Sequence, residues 1–169
     1  IASDSALGNA ANTVTFNSNA GADLTFNSAM TYTRATTLTT ATDFNTNTNA
    51  VTASGVIGGS AGLTKIGTGS LTLTNANTYN GTTISNGPNA QAAGAINVAN
   101  NSAFGTGAVT LTNTVGITAL YNSAASQTIT NNIALSGTAA ITTRLLVKDA
   151  TTFELNGIVS GGTATSTLL

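Results

Sequence analysis

The stretch GLTKIGTGSLTLTNANTYNGTTISNG, residues Gly62–Gly87, decides the fold prediction for this chain. It contains three short runs of strand-forming residues, Leu63–Ile66, Ser70–Thr74 and Thr82–Ser85, each bounded by Gly or Asn. The middle run alternates leucine with serine or threonine, which is the pattern of a strand with one buried face. Because Gly and Asn tolerate positive φ, the links between the runs are predicted to be tight turns.

Runs of the same kind recur about every ten residues along the whole chain, separated by turn residues. Beyond the opening stretch they are Thr13–Phe16, Asp23–Phe26, Met30–Thr33, Thr36–Thr40, Ala50–Thr52, Ala95–Val98, Ala108–Thr112, Gly116–Tyr121, Gln127–Thr130, Asn132–Leu135, Ile141–Val147, Thr152–Leu155 and Ile158–Ser160. Helix signals are weak, and one helical turn is considered at Asn89–Ala93. This spacing suits a sandwich, a barrel or a solenoid.

A longer internal repeat favours the solenoid among these three. Four segments recur in the same order at offsets near one hundred residues: Ser5–Gly8 as Ser102–Gly105, Val14–Phe16 as Val109–Leu111, Thr31–Thr33 as Thr128–Thr130, and Ser54–Gly59 as Asn156–Gly161. We therefore predict one β-solenoid domain over residues 1–169. It would contain about one and a half to two copies of a unit of roughly a hundred residues.

The opening stretch also resembles the autotransporter-associated β-strand repeat of bacterial surface proteins. The matching residues are Gly62–Lys65, Gly67–Gly69, Leu71–Leu73, Asn77–Tyr79 and Gly81–Thr83, with Ser54–Gly58 upstream and Ser102–Gly107 downstream. The resemblance spans about Ser54–Thr112. It implies a right-handed parallel β-helix on the outside of a bacterial cell, and it implies neither a reaction nor a ligand.

Composition agrees with a solenoid and disfavours several other classes of protein. Charged residues make up 5% of the chain, against about 25% in ordinary globular proteins, and the net charge is −1. With 41% hydrophobic residues the chain can still bury a core. The low charge gives no electrostatic reason to bind nucleic acid or an anionic membrane. No apolar run approaches the length of a membrane-spanning helix, so direct membrane insertion of this segment is not expected.

Stacked coils make specific demands on the residue types. Val, Leu, Ile, Phe and Ala are predicted to point inward, while Thr lines the outer strand faces. Asn at equivalent corners of successive coils is predicted to form hydrogen-bonded ladders. Gly58-Gly59 and Gly67–Gly69 read as turns, and Lys65 reads as a solvated residue at the edge of a strand.

The chain offers little for catalysis or cofactor binding. It has no His and no Cys, so the commonest metal ligands and catalytic triads are missing. The closest carboxylate pair is Asp149 and Glu154, near Lys148 and Arg144. A polysaccharide lyase would need such a charged cluster, but a solvated surface group is far more common. We expect no enzyme, no catalytic residue, no cofactor and no metal site.

A rival interpretation comes from a recurrent Thr-x-Thr pattern. The pairs begin at Thr13, Thr31, Thr72, Thr110 and Thr128. Such pairs on a flat solenoid face resemble the arrangement in some ice-binding proteins, where they must lie in a single rank with one pair per coil. Their spacing here is irregular, so we keep an ice- or carbohydrate-binding module as the alternative function.

The primary expectation is a non-enzymatic structural protein, extracellular or on a bacterial cell surface, acting as a stalk, an adhesin or a fibre subunit. Surface glycans or cell-surface receptors are the expected external partners. No cap is recognisable at either end of the chain, and exposed solenoid ends invite strand pairing. We therefore predict head-to-tail self-association through Ile1, Ala2, Leu168 and Leu169, with a fragment of a longer solenoid as the equal alternative.

Overall fold

A computed structural model describes residues 1–19, 21–85, 95–112, 117–122, 125–136, 141–147, 151–161 and 166–168. A 3-10 helix, Asp4–Leu7, precedes the strands. The strands are β1 Val14–Phe16, β2 Ala22–Thr25, β3 Met30–Tyr32, β4 Thr36–Leu38, β5 Thr42–Asn45, β6 Val51–Ala53, β7 Ile57–Gly59, β8 Leu63–Ile66, β9 Leu71–Leu73, β10 Thr82–Ser85, β11 Ile96–Val98, β12 Val109–Thr112, β13 Ile117–Asn122, β14 Gln127–Ile129, β15 Ile133–Ser136, β16 Ile141–Val147, β17 Phe153–Leu155, β18 Val159–Gly161 and β19 Ser166–Leu168.

These strands stack into a parallel β-solenoid, which confirms the predicted all-β fold class. One seven-stranded sheet has the order β2-β5-β8-β10-β12-β15-β18, and a second has the order β3-β6-β9-β11-β13-β16-β19. The third side carries β1-β4-β7 and, further along, β14-β17. The paired strands run parallel throughout, so each strand pairs with one in the next coil of the chain. Hydrogen-bonded partners in neighbouring coils are 18 to 27 residues apart in sequence, as for Leu63 with Gly81 and Thr106 with Tyr79.

Alternation within each strand builds one continuous core. In β9, Leu71 and Leu73 are buried while Thr72 is half-buried, and β6 and β11 repeat the pattern in register. Aromatic rings fill the first coils: Phe44 contacts Phe16, Phe26 and Tyr32 edge-on, with ring centroids 5.5–6.3 Å apart. Each fully buried side chain of this size contributes about 1.5–3 kcal/mol to folding. The coils share this core, so no coil is stable alone.

Three strands, β5, β7 and β19, are missing from the sequence-based prediction. β5 contains Asp43 and Asn45, residue types that are depleted in strands, and β7 ends in Gly58-Gly59, which reads as a turn. That interpretation of the glycines is wrong, because both pair with β4 in the neighbouring coil. Gly59 has a φ of 123°, and a Cβ there would lie 2.1 Å from the carbonyl oxygen of Leu38. The close approach of the coils therefore requires glycine at this position. The helical turn predicted at Asn89–Ala93 lies outside the described residues.

The prediction that Thr lines the outside needs correction at four positions. Thr36, Thr42, Thr46 and Thr82 are buried. Each hydroxyl has a partner: Thr36 and Thr82 are hydrogen-bonded to the tyrosine hydroxyls of Tyr32 and Tyr79, both at 2.8 Å. Thr42 donates to Thr40, and Thr46 donates to the carbonyls of Ile66 and Gly69. Thr is tolerated inside because the corners present carbonyls that its hydroxyl can reach.

At one corner the structure contains a single Asn–Asn step of the kind that the predicted ladders would repeat. Asn47 Nδ2 donates to Asn27 Oδ1 in the preceding coil at 3.2 Å, and Asn49 Nδ2 donates to the carbonyl oxygen of Phe26 at 2.9 Å. In the following coil, the N–H of Gly69 donates to the carbonyl oxygen of Asn47 at 2.7 Å. Amide groups therefore link neighbouring coils at this corner. Their hydrogen bonds satisfy backbone N–H and C=O groups that have no partner within a sheet.

The hundred-residue repeat does not coincide with whole coils. Val14–Phe16 forms β1 on the third side, whereas Val109–Leu111 belongs to β12 in a seven-stranded sheet. Thr31–Tyr32 and Thr128–Ile129 likewise belong to different sheets, β3 and β14. The repeat stays a prediction about the sequence. The structural repeat of the fold is the single coil.

Candidate functional site

The residues predicted to mediate self-association lie at opposite ends of the solenoid. Ile1 and Ala2 lie beside the terminal coil that contains β2 and β3. Leu168 is the last residue of β19, the terminal strand at the other end. Leu169 lies outside the described residues. Contact of these residues with a second molecule stays a prediction.

Residues Ile1–Asn12, which we call the strap, cover the end formed by β2 and β3. The N–H of Ile1 donates to the carbonyl oxygen of Thr25 at 2.5 Å, and the N–H of Asn27 donates to the carbonyl oxygen of Ile1 at 2.8 Å. These two bonds are the ones that a residue of a neighbouring parallel strand makes. Ile1 and Leu7 also pack against the core. The sequence-based expectation that neither end carries a cap is therefore wrong at this end.

Arg34, which follows β3, anchors the strap through hydrogen bonds from its guanidinium group. Its side chain is 1% exposed. Nε donates to Asp4 Oδ2 at 3.1 Å, and Nη2 donates to the carbonyl oxygens of Asp4 and Gly8, both at 2.7 Å. Nη1 donates to the carbonyl oxygen of Asn9. The planar guanidinium can serve all of these acceptors at once because its N–H donors point outward in a fixed fork.

The carboxylate of Asp4 also accepts hydrogen bonds from Thr33, the residue that follows β3. It accepts hydrogen bonds from the backbone N–H of Thr33 at 3.1 Å and from the Thr33 hydroxyl at 2.7 Å. Burial raises the pKa of Asp4, but the hydrogen bonds from Thr33 and Arg34 together outweigh burial and bring the pKa below its ordinary value. Asp4 is therefore charged at neutral pH and forms an ion pair with Arg34.

Sequence analysis missed both Arg34 and the strap. The available signal was the isolation of the residue: Arg34 is the first basic residue in a chain that has only four. In so uncharged a sequence, a single guanidinium between two strands is a candidate for a buried role. Its partner could not have been chosen from the sequence, because Asp4 is 30 residues away and the strap has no strand pattern.

The opposite end of the solenoid exposes apolar side chains. Ile158 is 71% exposed and Val159 is 42% exposed, although Val159 lies in β18 beside the buried Ile133. Phe153 and Leu155 of β17 are half-buried and pack against the core. The two ends therefore differ: the strap covers one, and the other presents apolar surface.

The charged cluster considered from the sequence is described only in part. Glu154 lies exposed in β17, where its Oε2 accepts a hydrogen bond from the Thr128 hydroxyl at 3.2 Å. Arg144 belongs to β16, and Lys148 and Asp149 lie outside the described residues. Within the described part of the chain, no group of three or more His, Cys, Asp or Glu residues could hold a metal ion. The expected absence of catalytic residues, cofactors and metals stays a prediction.

Asp23 and Asp43 form a second pair of carboxylates, which the sequence did not bring together. They are direct partners in the parallel register of β2 and β5, and they line a groove with Gly21, Ala22 and Ala41. Burial raises the pKa of Asp43, and the charge of Asp23 raises it further, while a hydrogen bond from Thr64 lowers it. The pair is a site of repulsion between like charges.

Lys65 lies inside the core, so its assignment as a solvated residue is wrong. It is fully buried and pairs in register with Phe44 of β5. Its Nζ donates to the carbonyl oxygen of Gly67. Burial lowers the pKa of Lys65 from 10.5 to about 8. The residue points inward because alternation in β8 places it on the same face as Leu63.

The Thr-x-Thr pairs do not form one rank. Thr15 lies in β1, Thr110 and Thr112 lie in β12, and Thr128 lies in β14. These strands belong to three different sheets. Only the pairs beginning at Thr31 and Thr72 share a sheet, where Thr52 pairs in register with both of these residues. The arrangement that ice binding would need is therefore confined to a few coils.

Comparison with known proteins supports the resemblance seen in the opening stretch. Residues 63–87 match the family described as the passenger-associated-transport-repeat, which confirms the predicted similarity to autotransporter-associated repeats. The matched segment contains β8, β9 and β10. Searches of the curated proteins and of the solved structures find no match. No helix in the described residues is long and apolar enough to cross a membrane.

Proposed function

We propose that this chain is a non-enzymatic structural segment of a bacterial surface-exposed or secreted protein, where its solenoid serves as a stalk or an adhesive surface. The observation that carries the proposal is the pair of seven-stranded parallel sheets around one core, together with the passenger-repeat match at residues 63–87. A body whose coils are hydrogen-bonded and share a core resists bending and holds its lateral surface at a fixed spacing.

The chemistry of the surface supports binding through neutral hydrogen bonds. Of the four basic residues, the two with described side chains, Arg34 and Lys65, are buried. The lateral faces of the first coils present mainly hydroxyl and amide groups, such as Thr31, Thr52 and Asn97. Such a surface has no strong field to attract polyanions, and its groups can hydrogen-bond to glycans or to protein backbone.

Protease shaving of intact source cells tests the surface location. An antibody against the purified 169-residue chain should label intact cells or detect the chain in the culture medium. External protease should remove the cell-bound signal while a cytosolic marker survives. A signal that appears only after lysis would refute the surface assignment.

Polysaccharide cleavage assays test the non-enzymatic assignment. The purified chain is expected to release no product from uronic-acid and neutral polysaccharides. The matched variants are Glu154→Gln and Asp149→Asn, which remove the two carboxylates that are closest to each other in sequence. Reproducible cleavage by the wild type that either variant abolishes would overturn the assignment.

The carbohydrate-binding alternative is favoured by one observation. Thr31, Thr52, Thr72 and Asn97 are successive register partners in one sheet, and Asn97 Nδ2 donates to Thr72 Oγ1 at 3.0 Å. A glycan array with the wild type and with Thr52→Val tests this column. Binding that Thr52→Val weakens would favour the alternative. A thermal-hysteresis measurement on the same two proteins tests the ice-binding form.

A further inference from the structure

We propose that Asn100 is the acceptor of an N-linked sugar, and that the similar sequence at Asn80 is not. The modifying enzyme is a glycosyltransferase that acts on the folded chain and recognises Asn100 together with the hydroxyl of Ser102. This inference concerns a covalent modification and does not depend on the proposed role as a stalk or an adhesive surface.

The acceptor pattern Asn-x-Ser/Thr occurs at two places in the sequence, Asn80-Gly81-Thr82 and Asn100-Asn101-Ser102. A transferase that recognises this pattern has to reach both the amide of the asparagine and the hydroxyl two residues later. The pattern can therefore be used only where both groups are accessible, typically in a surface turn. The fold places the two sequences in different surroundings.

The Asn100 sequence lies in the turn between β11 and β12. Asn100 is half-buried and borders a groove that is open to solvent, and Ser102 is exposed. Asn100 Oδ1 accepts a hydrogen bond of 2.9 Å from the backbone N–H of Ser102, which holds the two residues close together. Within the part of the chain that the structure describes, Asn100 Nδ2 and the Ser102 hydroxyl have no hydrogen-bond partner. Both groups that a transferase needs are therefore available.

The Asn80 sequence is blocked at its hydroxyl. Asn80 itself is exposed, but Thr82 begins β10 and is 2% exposed. The Thr82 hydroxyl is hydrogen-bonded to the Tyr79 hydroxyl at 2.8 Å and donates to the carbonyl oxygen of Phe104 at 3.3 Å. A transferase could contact this hydroxyl only if β10 left the core. In the folded chain the two sequences are therefore not equivalent, although they share the pattern.

A shallow groove beside Asn100 indicates the class of sugar. It is lined by uncharged residues: Ala99, Asn100, Asn101, Ser126 and Gln127. Their amide and hydroxyl groups can hydrogen-bond to the hydroxyls of a sugar. Asn101 Oδ1 accepts from the backbone N–H of Thr128 at 3.0 Å, and the Thr128 hydroxyl donates to Glu154 at 3.2 Å. The Glu154 carboxylate would repel an acidic sugar, so the first sugar is expected to be neutral.

The transfer forms one bond and breaks one. The donor is a sugar whose anomeric carbon is esterified to a diphosphate. Asn100 Nδ2 attacks that carbon, the bond from the carbon to the phosphate oxygen breaks, and the diphosphate leaves with the bonding electrons. The amide nitrogen gives up one proton to a base on the transferase, and nothing is oxidised or reduced. Asn100 Oδ1 keeps its hydrogen bond from the Ser102 N–H, so the turn does not have to change.

Mass spectrometry of the protein isolated from its source cells tests the proposal. The proteins are the wild type, Ser102→Ala, Ser102→Thr and Asn80→Gln, each expressed in those cells. Wild-type peptides that contain Asn100 should be heavier than their sequence by whole neutral sugar residues, and fragmentation should place the added mass on Asn100. Ser102→Ala should lose the added mass. Ser102→Thr and Asn80→Gln should keep it, because each leaves the pattern at Asn100 intact.

Ser102→Ala is the main variant because the hydroxyl that it removes has no hydrogen-bond partner among the described residues. Urea unfolding of the full 169-residue chain, made by cell-free translation without sugar donors, should give the same midpoint for Ser102→Ala and the wild type. If Ser102→Ala does not fold, Asn100→Asp replaces it. The aspartate oxygen can still accept from the Ser102 N–H, but the side chain has no nitrogen to modify.

Three outcomes would overturn the proposal. They are wild-type Asn100 peptides with no added mass, added mass on Asn80, and added mass at the Asn100 turn that persists in folded Ser102→Ala or Asn100→Asp. The protease-shaving test of the surface location is independent of these results. A glycosylated chain that is found only inside the cell would refute the surface assignment alone, and a surface-exposed chain with unmodified Asn100 would refute this inference alone.

Discussion

The side-chain oxygen of Asn77 accepts a hydrogen bond of 2.8 Å from the backbone N–H of Ile57 in the preceding coil. Its Nδ2 donates to the carbonyl oxygen of Ala103 in the following coil, also at 2.8 Å. Asn77 is buried. On this side of the solenoid the described strands stop at β7 and resume at β14, so one amide side chain joins three coils where strand pairing is interrupted.

Asn77→Ala should lower the free energy of unfolding by about 1–3 kcal/mol, because it leaves the buried backbone N–H of Ile57 without a partner. The carbonyl oxygen of Ala103 keeps the hydrogen bond from the Tyr79 hydroxyl at 3.2 Å. The matched control is Asn97→Ala, whose half-buried amide donates to a hydroxyl on the outer face, and it should cost less than about 1 kcal/mol. Urea unfolding measures both. Equal losses for the two variants would show that the Asn77 bridge has no special role.

Lys65→Met should stabilise the protein at neutral pH by about 1–3 kcal/mol, since a pKa difference of one unit corresponds to about 1.4 kcal/mol. Burial lowers the pKa of Lys65 to about 8 in the folded chain, against 10.5 for an unperturbed lysine. Between these values the unfolded chain binds a proton that the folded chain has released, so wild-type stability rises with pH. Below pH 8 the destabilisation caused by Lys65 does not change with pH, because the lysine is protonated in both the folded and the unfolded chain.

The test is the difference in unfolding free energy between Lys65→Met and the wild type, measured at several pH values from 7 to about 10. The difference should shrink as pH rises above about 8. Burial raises the pKa values of Tyr32 and Tyr79, but their titration is common to both proteins and cancels in the difference. A difference that stays flat over this range would mean that Lys65 titrates as an exposed lysine.

Gly59→Ala should be strongly destabilising, by about 2–4 kcal/mol or more. The left-handed φ of 123° is strained for alanine, and the added Cβ would meet the Leu38 carbonyl oxygen at 2.1 Å. Gly161→Ala is the control, because a Cβ there meets nothing within 4 Å. Thermal unfolding of both variants measures the contrast. An alanine at position 59 that unfolds at the wild-type temperature would exclude the close approach of β7 to β4.

Asp43→Asn should stabilise the protein at neutral pH by less than about 1 kcal/mol, because it removes the repulsion from Asp23 at the surface. The pKa of Asp43 is raised in the folded chain, so wild-type stability falls as pH rises from 3.8 through that raised value. The gain from Asp43→Asn should vanish below pH 3.8 and weaken in high salt. An NMR titration of Asp43 in the Asp23→Asn variant should give a lower pKa than in the wild type.

The sequence by itself determined the fold class and most of the strands. Alternating apolar residues, Gly and Asn at the corners and the scarcity of charge indicate stacked parallel coils, and these are local features that any one coil displays. The motif at residues 63–87 was recognisable for the same reason, since its spacing lies within one stretch of chain. β5 and β7 were not predicted because Asp43, Gly58 and Gly59 are residue types that disfavour strands. They adopt strand conformation because they pair with strands of neighbouring coils.

Only the tertiary structure decided which polar residues are buried and what they bind. Lys65 lies in the core because its strand alternates in register with β5, and Asn77 joins three coils because no strand fills that position. Arg34 finds Asp4 across 30 residues of sequence. In a solenoid each side chain meets residues one coil away. Its environment therefore depends on the register between coils, which the pattern within a single coil does not contain.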